Sequence, residues 1–274
     1  MENVINIACI AGIATFGVAH GAIDHVLYQL KMKSKSRSNI LFIAIYVSVA
    51  IVFAGIWYLF PALALVIFLG VSAYHFGQSQ FSEDLRLSQI SKSLFYLSWG
   101  GLVISFMLFF QPTYFLSLKG LDNIFLKVLS FLANYSTYLT FFFLVLFLFF
   151  LFTNRSQFKP QQIGMELFIL ALVACSFYLL PAFVAFSLFF VVIHSGKVIG
   201  QEFDFCKKNL KIQSAFSFAK LFMPLTLVSL LSIVLLVLLM SHFSSGTSYI
   251  GFALLILLSS ITIPHAMVME KFYD

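Results

Sequence analysis

VINIACIAGIATFGVAHGAIDHVLY, residues 4–28, decides how the chain is read. Its 25 residues, at about 1.5 Å each, outspan the roughly 30 Å hydrocarbon layer of a bilayer. Most of the run is apolar, yet its end carries His20, Asp24 and His25 within six residues. Such groups are costly where water is scarce, and inside a membrane they default to functional candidates. The stretch therefore reads as a membrane helix with chemistry at one end.

Outward from it, apolar runs recur along the whole chain. Nine segments can be drawn: 4–28, 40–60, 61–81, 93–111, 128–152, 163–180, 181–202, 218–241 and 248–270. Eight is the alternative count. The chain is 61% hydrophobic and only 9% charged, against about a quarter charged in soluble domains. The expected fold is all-α, a polytopic helical bundle in a membrane. No segment is long and polar enough for a soluble module, so residues 1–274 read as a single domain. The first residues, MENVINIACI, lack a basic stretch and read as the start of span 1, not as a cleaved signal. Pro61 and Pro181 mark tight turns between adjacent spans. LTFFFLVLFLFFLF, 139–152, reads as packing or lipid-facing material. Cys9, Cys175 and Cys206 are odd in number and far apart, and read as buried free thiols.

The net charge of +6 does not point to nucleic acid, because the basic residues sit in short loops. With the N-terminus outside, the inner loops and ends hold Lys31, Lys33, Lys35, Arg37, Arg86, Lys92, Arg155, Lys159, Lys197, Lys207, Lys208, Lys211, Lys220 and Lys271. The outer loops hold only Lys119 and Lys127. That asymmetry predicts an outside N-terminus, a cytoplasmic C-terminus and an odd number of spans.

On this topology His20, His75, His194 and His265 fall toward the inner ends of spans 1, 3, 7 and 9. They share one depth to within roughly two helical turns. Four imidazoles at one level suit a metal held between facing helices: iron, copper or zinc. Each alone is better explained by a hydrogen bond to a neighbouring helix; the matching depth of four favours the metal. Asp24 is i+4 from His20 and suits a carboxylate that holds a ligand's outer nitrogen. Gln78, i+3 from His75, is placed to order a ring or a water. His25, i+5 from His20, points well away and ranks behind the others as a ligand. His242 reads as interfacial, at the outer end of span 8. Pro264 frees the carbonyl of Ser260 beside His265. Glu83, Asp84, Glu202, Asp204 and Glu270 read as headgroup-level acids, Glu202 having a small claim to face inward. There is no Gly-rich phosphate loop, HExxH, CxxCH or desaturase-type histidine box.

GVAHGAIDH resembles the PHGxxDH motif of the bacterial beta-carotene 15,15'-dioxygenases, the Brp/Blh family. YHFGQSQ, HSGK and the terminal PHAMVME resemble that family's later histidine motifs, in the same order. The resemblance runs over nearly the whole chain. It implies an integral enzyme of the bacterial inner membrane that uses Fe(II) and dioxygen to split the central double bond of beta-carotene into two retinal molecules. The retinal often serves a microbial rhodopsin. Carried over by position, His20, His75 and His194 would be iron ligands, with His265 fourth. Two positions depart from the pattern. Ala19 replaces the usual proline, and Val198 stands where HSxxH has a second ligand histidine. The site is one imidazole short unless His265 completes it or three suffice.

The implied substrate is a polyene that partitions into lipid and enters between helices. Cleavage of a different carotenoid is the alternative within that class, and two other classes fit the residues. A carotenoid or retinal carrier would bind pigment without cleaving it. A metal transporter is disfavoured, because the histidines cluster at one depth and form no relay.

Overall fold

The computed structural model describes residues 2–32, 38–81, 87–116, 123–243 and 247–273; side chains of residues 2, 3, 6, 32, 38, 39, 123, 236, 237, 239–243 and 247–254 are not described. Among these residues there is no strand. Nine helices are long and apolar enough to cross a membrane: span 1 (Ile7–Lys31), span 2 (Ile40–Leu59), span 3 (Pro61–Gln80), span 4 (Gln89–Phe110), span 5 (Ser136–Thr153), span 6 (Pro160–Leu179), span 7 (Ala182–Leu210), span 8 (Ala215–Leu235) and span 9 (Leu255–Tyr273). The all-helical, nine-span expectation is borne out. In lipid the backbone must satisfy its own hydrogen bonds, which a helix does within one segment. Of the residues used for the charge asymmetry, Lys33, Lys35, Arg37, Arg86 and Lys119 lie outside the described residues, as do Glu83 and Asp84 and the side chain of His242.

The structure differs from the drawn segments in three places. The segment expected at 128–152 is two helices, Asn123–Asn134 and Ser136–Thr153, broken at Tyr135. Span 1 is interrupted by a π-helical turn, Ile13–Gly17, and by a turn at Ile23. Span 7 carries a second π-helical stretch, Phe189–Ser195. The cysteines are free, but only Cys206 is buried; Cys175 is exposed, which a lipid-facing thiol tolerates.

The chain packs as two compact units, Met1–Phe68 with Phe190–Asp274, and Leu69–Phe189. In the second unit, spans 3 and 4 meet backbone to backbone. A methyl on Gly100 would overlap the carbonyl of Ala73, and one on Gly77 the carbonyl of Tyr96. Small residues permit such close approach between membrane helices. Gln80 donates to both carboxylate oxygens of Glu166, at 2.9 and 2.8 Å, tying span 3 to span 6. Phe147 stacks on Phe95 at 5.7 Å, so span 5 contributes core as well as exposed phenylalanines such as Phe141 and Phe149.

In the first unit, spans 2 and 9 are pinned where the Trp57 indole N–H donates to Ser259 Oγ at 2.7 Å. The two π-helical stretches come close: a Cβ on Gly17 would lie 2.6 Å from the Phe190 ring. A π turn shifts the phase of the residues that follow it, and such turns recur at functional sites. Here one precedes His20 and the other contains His194.

Candidate functional site

Within the first unit, spans 1, 7 and 9 bring three buried imidazoles together. The rings of His20 and His265 are 4.6 Å apart between centroids, and those of His20 and His194 5.4 Å. All three residues are 4% exposed, beyond the reach of bulk water. Phe190 closes one side, 6.1 Å from His20 and 5.5 Å from His194.

The hydrogen bonds fix how two of the rings are protonated. His20 Nδ1 lies 3.2 Å from the Phe16 carbonyl oxygen, which only accepts. The proton is therefore on Nδ1 and the lone pair on Nε2. His265 Nδ1 is 3.0 Å from each carboxylate oxygen of Asp24, so it too donates and leaves its lone pair on Nε2. Asp24 is itself held by the Tyr46 hydroxyl, which donates to Oδ2 at 3.0 Å and lies 3.4 Å from the Ile261 carbonyl.

Asp24 thus serves His265 of span 9, not the i+4 neighbour His20. The turn at Ile23 is the reason. It ends the helical segment holding His20, and Asp24 opens a new one, Asp24–Met32, so the i to i+4 alignment of a continuous helix is lost. A carboxylate in that first turn also suits the positive end of the new segment.

His25 stands apart. It is half-buried, its Nδ1 lies 3.0 Å from the Ala22 carbonyl oxygen, and it makes no ring contact with another described histidine. His75 and Gln78 are buried in the second unit, 2% and 3% exposed. Val198, where the motif has a histidine, is fully buried in an apolar cluster with Ile23, Leu27, Cys206, Phe218 and Met269. Tyr46 was not anticipated; its only sequence signal is a hydroxyl inside the apolar span 2, which also carries Ser48 and Tyr58. Glu202 faces inward: it is 1% exposed, and its carboxylate has no hydrogen-bond partner among the described residues.

The donor types suit a divalent first-row metal. His20 and His265 supply neutral nitrogen donors with the outer nitrogen already engaged, Asp24 supplies negative charge one bond from His265, and the His194 ring lies 5.4 Å from that of His20. The fold and site define the class: a multi-span membrane protein with a buried histidine–carboxylate centre.

Residues 11–273 match the sequence profile of the family described as beta-carotene 15,15'-dioxygenase. The chain belongs to that family. One relative, the beta-carotene 15,15'-dioxygenase of uncultured marine bacterium 66A03, is 29% identical over 227 residues, which is 77% of this chain and 73% of that protein. No solved structure matches the chain.

Proposed function

We propose that this protein cleaves the central 15,15' double bond of beta-carotene with dioxygen, giving two molecules of retinal. The observation that carries the reading is the convergence of His20, His194 and His265 in a chain whose family match runs from residue 11 to residue 273. The reaction balances without a reductant. The C=C bond breaks, each carbon becomes an aldehyde carbon, and each takes one atom of the dioxygen.

His20, His194 and His265 would hold Fe(II), joined by His75 on the strength of the YHFGQSQ motif, with Gln78 steadying His75. His25 stays outside this set. When bound, the iron supplies the means to activate dioxygen, which does not react unaided with the polyene. Phe16 and Asp24 orient the rings of His20 and His265, and Tyr46 orients Asp24. Phe190 and the surrounding apolar side chains exclude water. Rigid placement of the reacting double bond is worth several kcal/mol of barrier where the geometry is near attack. The protein sits in the bacterial inner membrane with its N-terminus outside and its C-terminus cytoplasmic, and its retinal is available to a microbial rhodopsin.

The test is expression in cells that make beta-carotene. Bleaching of the orange colour, with retinal in the extract, is expected. Persistent colour with well-expressed, iron-loaded protein would reject the reading. One observation favours a second reading, a carotenoid carrier that no longer cleaves: the apolar packing around Val198. The carrier would copurify with pigment at a fixed ratio and leave it intact in air.

A further inference from the structure

Beside the histidines the first unit contains a cleft of about 680 Å³, within the range of small-molecule sites. Spans 1, 2, 8 and 9 form it. Its rim is apolar and exposed, at Ile43, Val47, Ile51 and Val228, so it opens where lipid chains lie. Its inner wall includes Gly21, Asp24, Tyr46 and Ser260. Two of these also belong to the histidine centre. Asp24 holds His265, and a Cβ on Gly21 would rest 3.8 Å from His265 Nδ1. The wall between cleft and centre is one residue thick there, and at Gly21 that residue has no side chain.

Ser260 gives the cleft its chemistry. A helical serine usually folds back onto the carbonyl four residues earlier, here that of Ile256. That carbonyl already accepts from Ser259 Oγ at 3.0 Å. The Ser260 hydroxyl is buried and has no hydrogen-bond partner among the described residues. An unused buried donor in an apolar cleft calls for an acceptor brought by a ligand. The hydrocarbon substrate has none. The product does, at the carbonyl oxygen of its new aldehyde.

We propose that this cleft is the product site, holding the polyene chain of retinal along spans 2 and 8 with its aldehyde oxygen accepting from Ser260 Oγ. The inference rests on the cleavage reading for the origin of the aldehyde. Among the described residues no lysine lines the cleft, so the aldehyde is held without an imine. The cleft then gives the product a route from the buried centre back to the lipid.

Equilibrium binding of all-trans-retinal and of beta-carotene to purified protein in nanodiscs, without turnover, tests it. Ser260→Ala is expected to weaken retinal about five- to tenfold and leave beta-carotene unchanged. Ala50→Trp, which fills the cleft from span 2, is expected to abolish retinal binding. Borohydride is expected to trap no adduct. Unchanged retinal affinity in both variants would overturn the proposal and give the cleft to a lipid acyl chain. Equal weakening of both ligands by Ser260→Ala would overturn the aldehyde contact. A protein that binds retinal through Ser260 but does not bleach carotene would keep the site and reject the cleavage reading. Bleaching with a Ser260-independent retinal affinity would do the reverse.

Discussion

Asp24→Asn separates the charge of the Asp24 carboxylate from its shape. In the structure the carboxylate accepts from His265 Nδ1 at 3.0 Å and from Tyr46 at 3.0 Å. Asparagine keeps one acceptor oxygen, which can remain on His265 Nδ1. Its amide nitrogen then faces Tyr46, whose hydroxyl turns its proton toward the Ile261 carbonyl at 3.4 Å and accepts instead. The ring orientation therefore survives while the negative charge is lost. Loss of a ligand's carboxylate partner typically costs about 10- to 100-fold in metal affinity, or roughly 1.4–2.8 kcal/mol. The assay is Fe(II) competition against a chelator of known affinity, with thermal unfolding run in parallel. The expected result is weakened iron binding at nearly unchanged melting temperature. Asp24→Leu should be worse on both counts, because it strands the His265 N–H in a buried site. Wild-type iron affinity in Asp24→Asn would refute the claim that Asp24 tunes His265 as a ligand.

Four further outcomes are expected. His20→Ala and His75→Ala each abolish retinal formation and lower bound iron; full activity in His75→Ala would confine the centre to the spans of the first unit. Gly100→Val forces spans 3 and 4 apart where Gly100 meets the Ala73 carbonyl, costing at least ~1–3 kcal/mol of stability, read as a lowered melting temperature. Lys211, which ends span 7 in the left-handed conformation at φ 55°, becomes more stable by about 1 kcal/mol as Lys211→Gly, measured by denaturant midpoint. Val198→His places an imidazole among Ile23, Leu27 and Met269, and is expected to lower stability without raising the iron stoichiometry, read by metal analysis. A gain of iron and rate there would show instead that the centre lacks the motif's missing ligand.

The features that were legible in the sequence depend on length and polarity alone. Hydrocarbon thickness sets the span count, and a lone histidine in a span stands out because it is expensive there. His20, His75, His194 and His265 stand out in the sequence that way. What was not legible depends on helix phase. The i+4 spacing of Asp24 from His20 assumes a continuous helix, and the turn at Ile23 breaks that assumption; the π turn at Ile13–Gly17 shifts the phase of His20 against the earlier part of the span. No strong breaker marks either place; GIATFG and AIDH contain no proline. The same holds at Tyr135, where an apolar run reads through a real break. Tyr46 and Ser260 escaped for another reason. Hydroxyls are cheap in membrane helices when they bond their own backbone, so a hydroxyl that does not is indistinguishable in sequence from one that does. Ser259 and Ser260 are adjacent and identical, yet one takes the Ile256 carbonyl and the other is left a donor at a cleft wall. That difference is geometric, and the proposed product site depends on it.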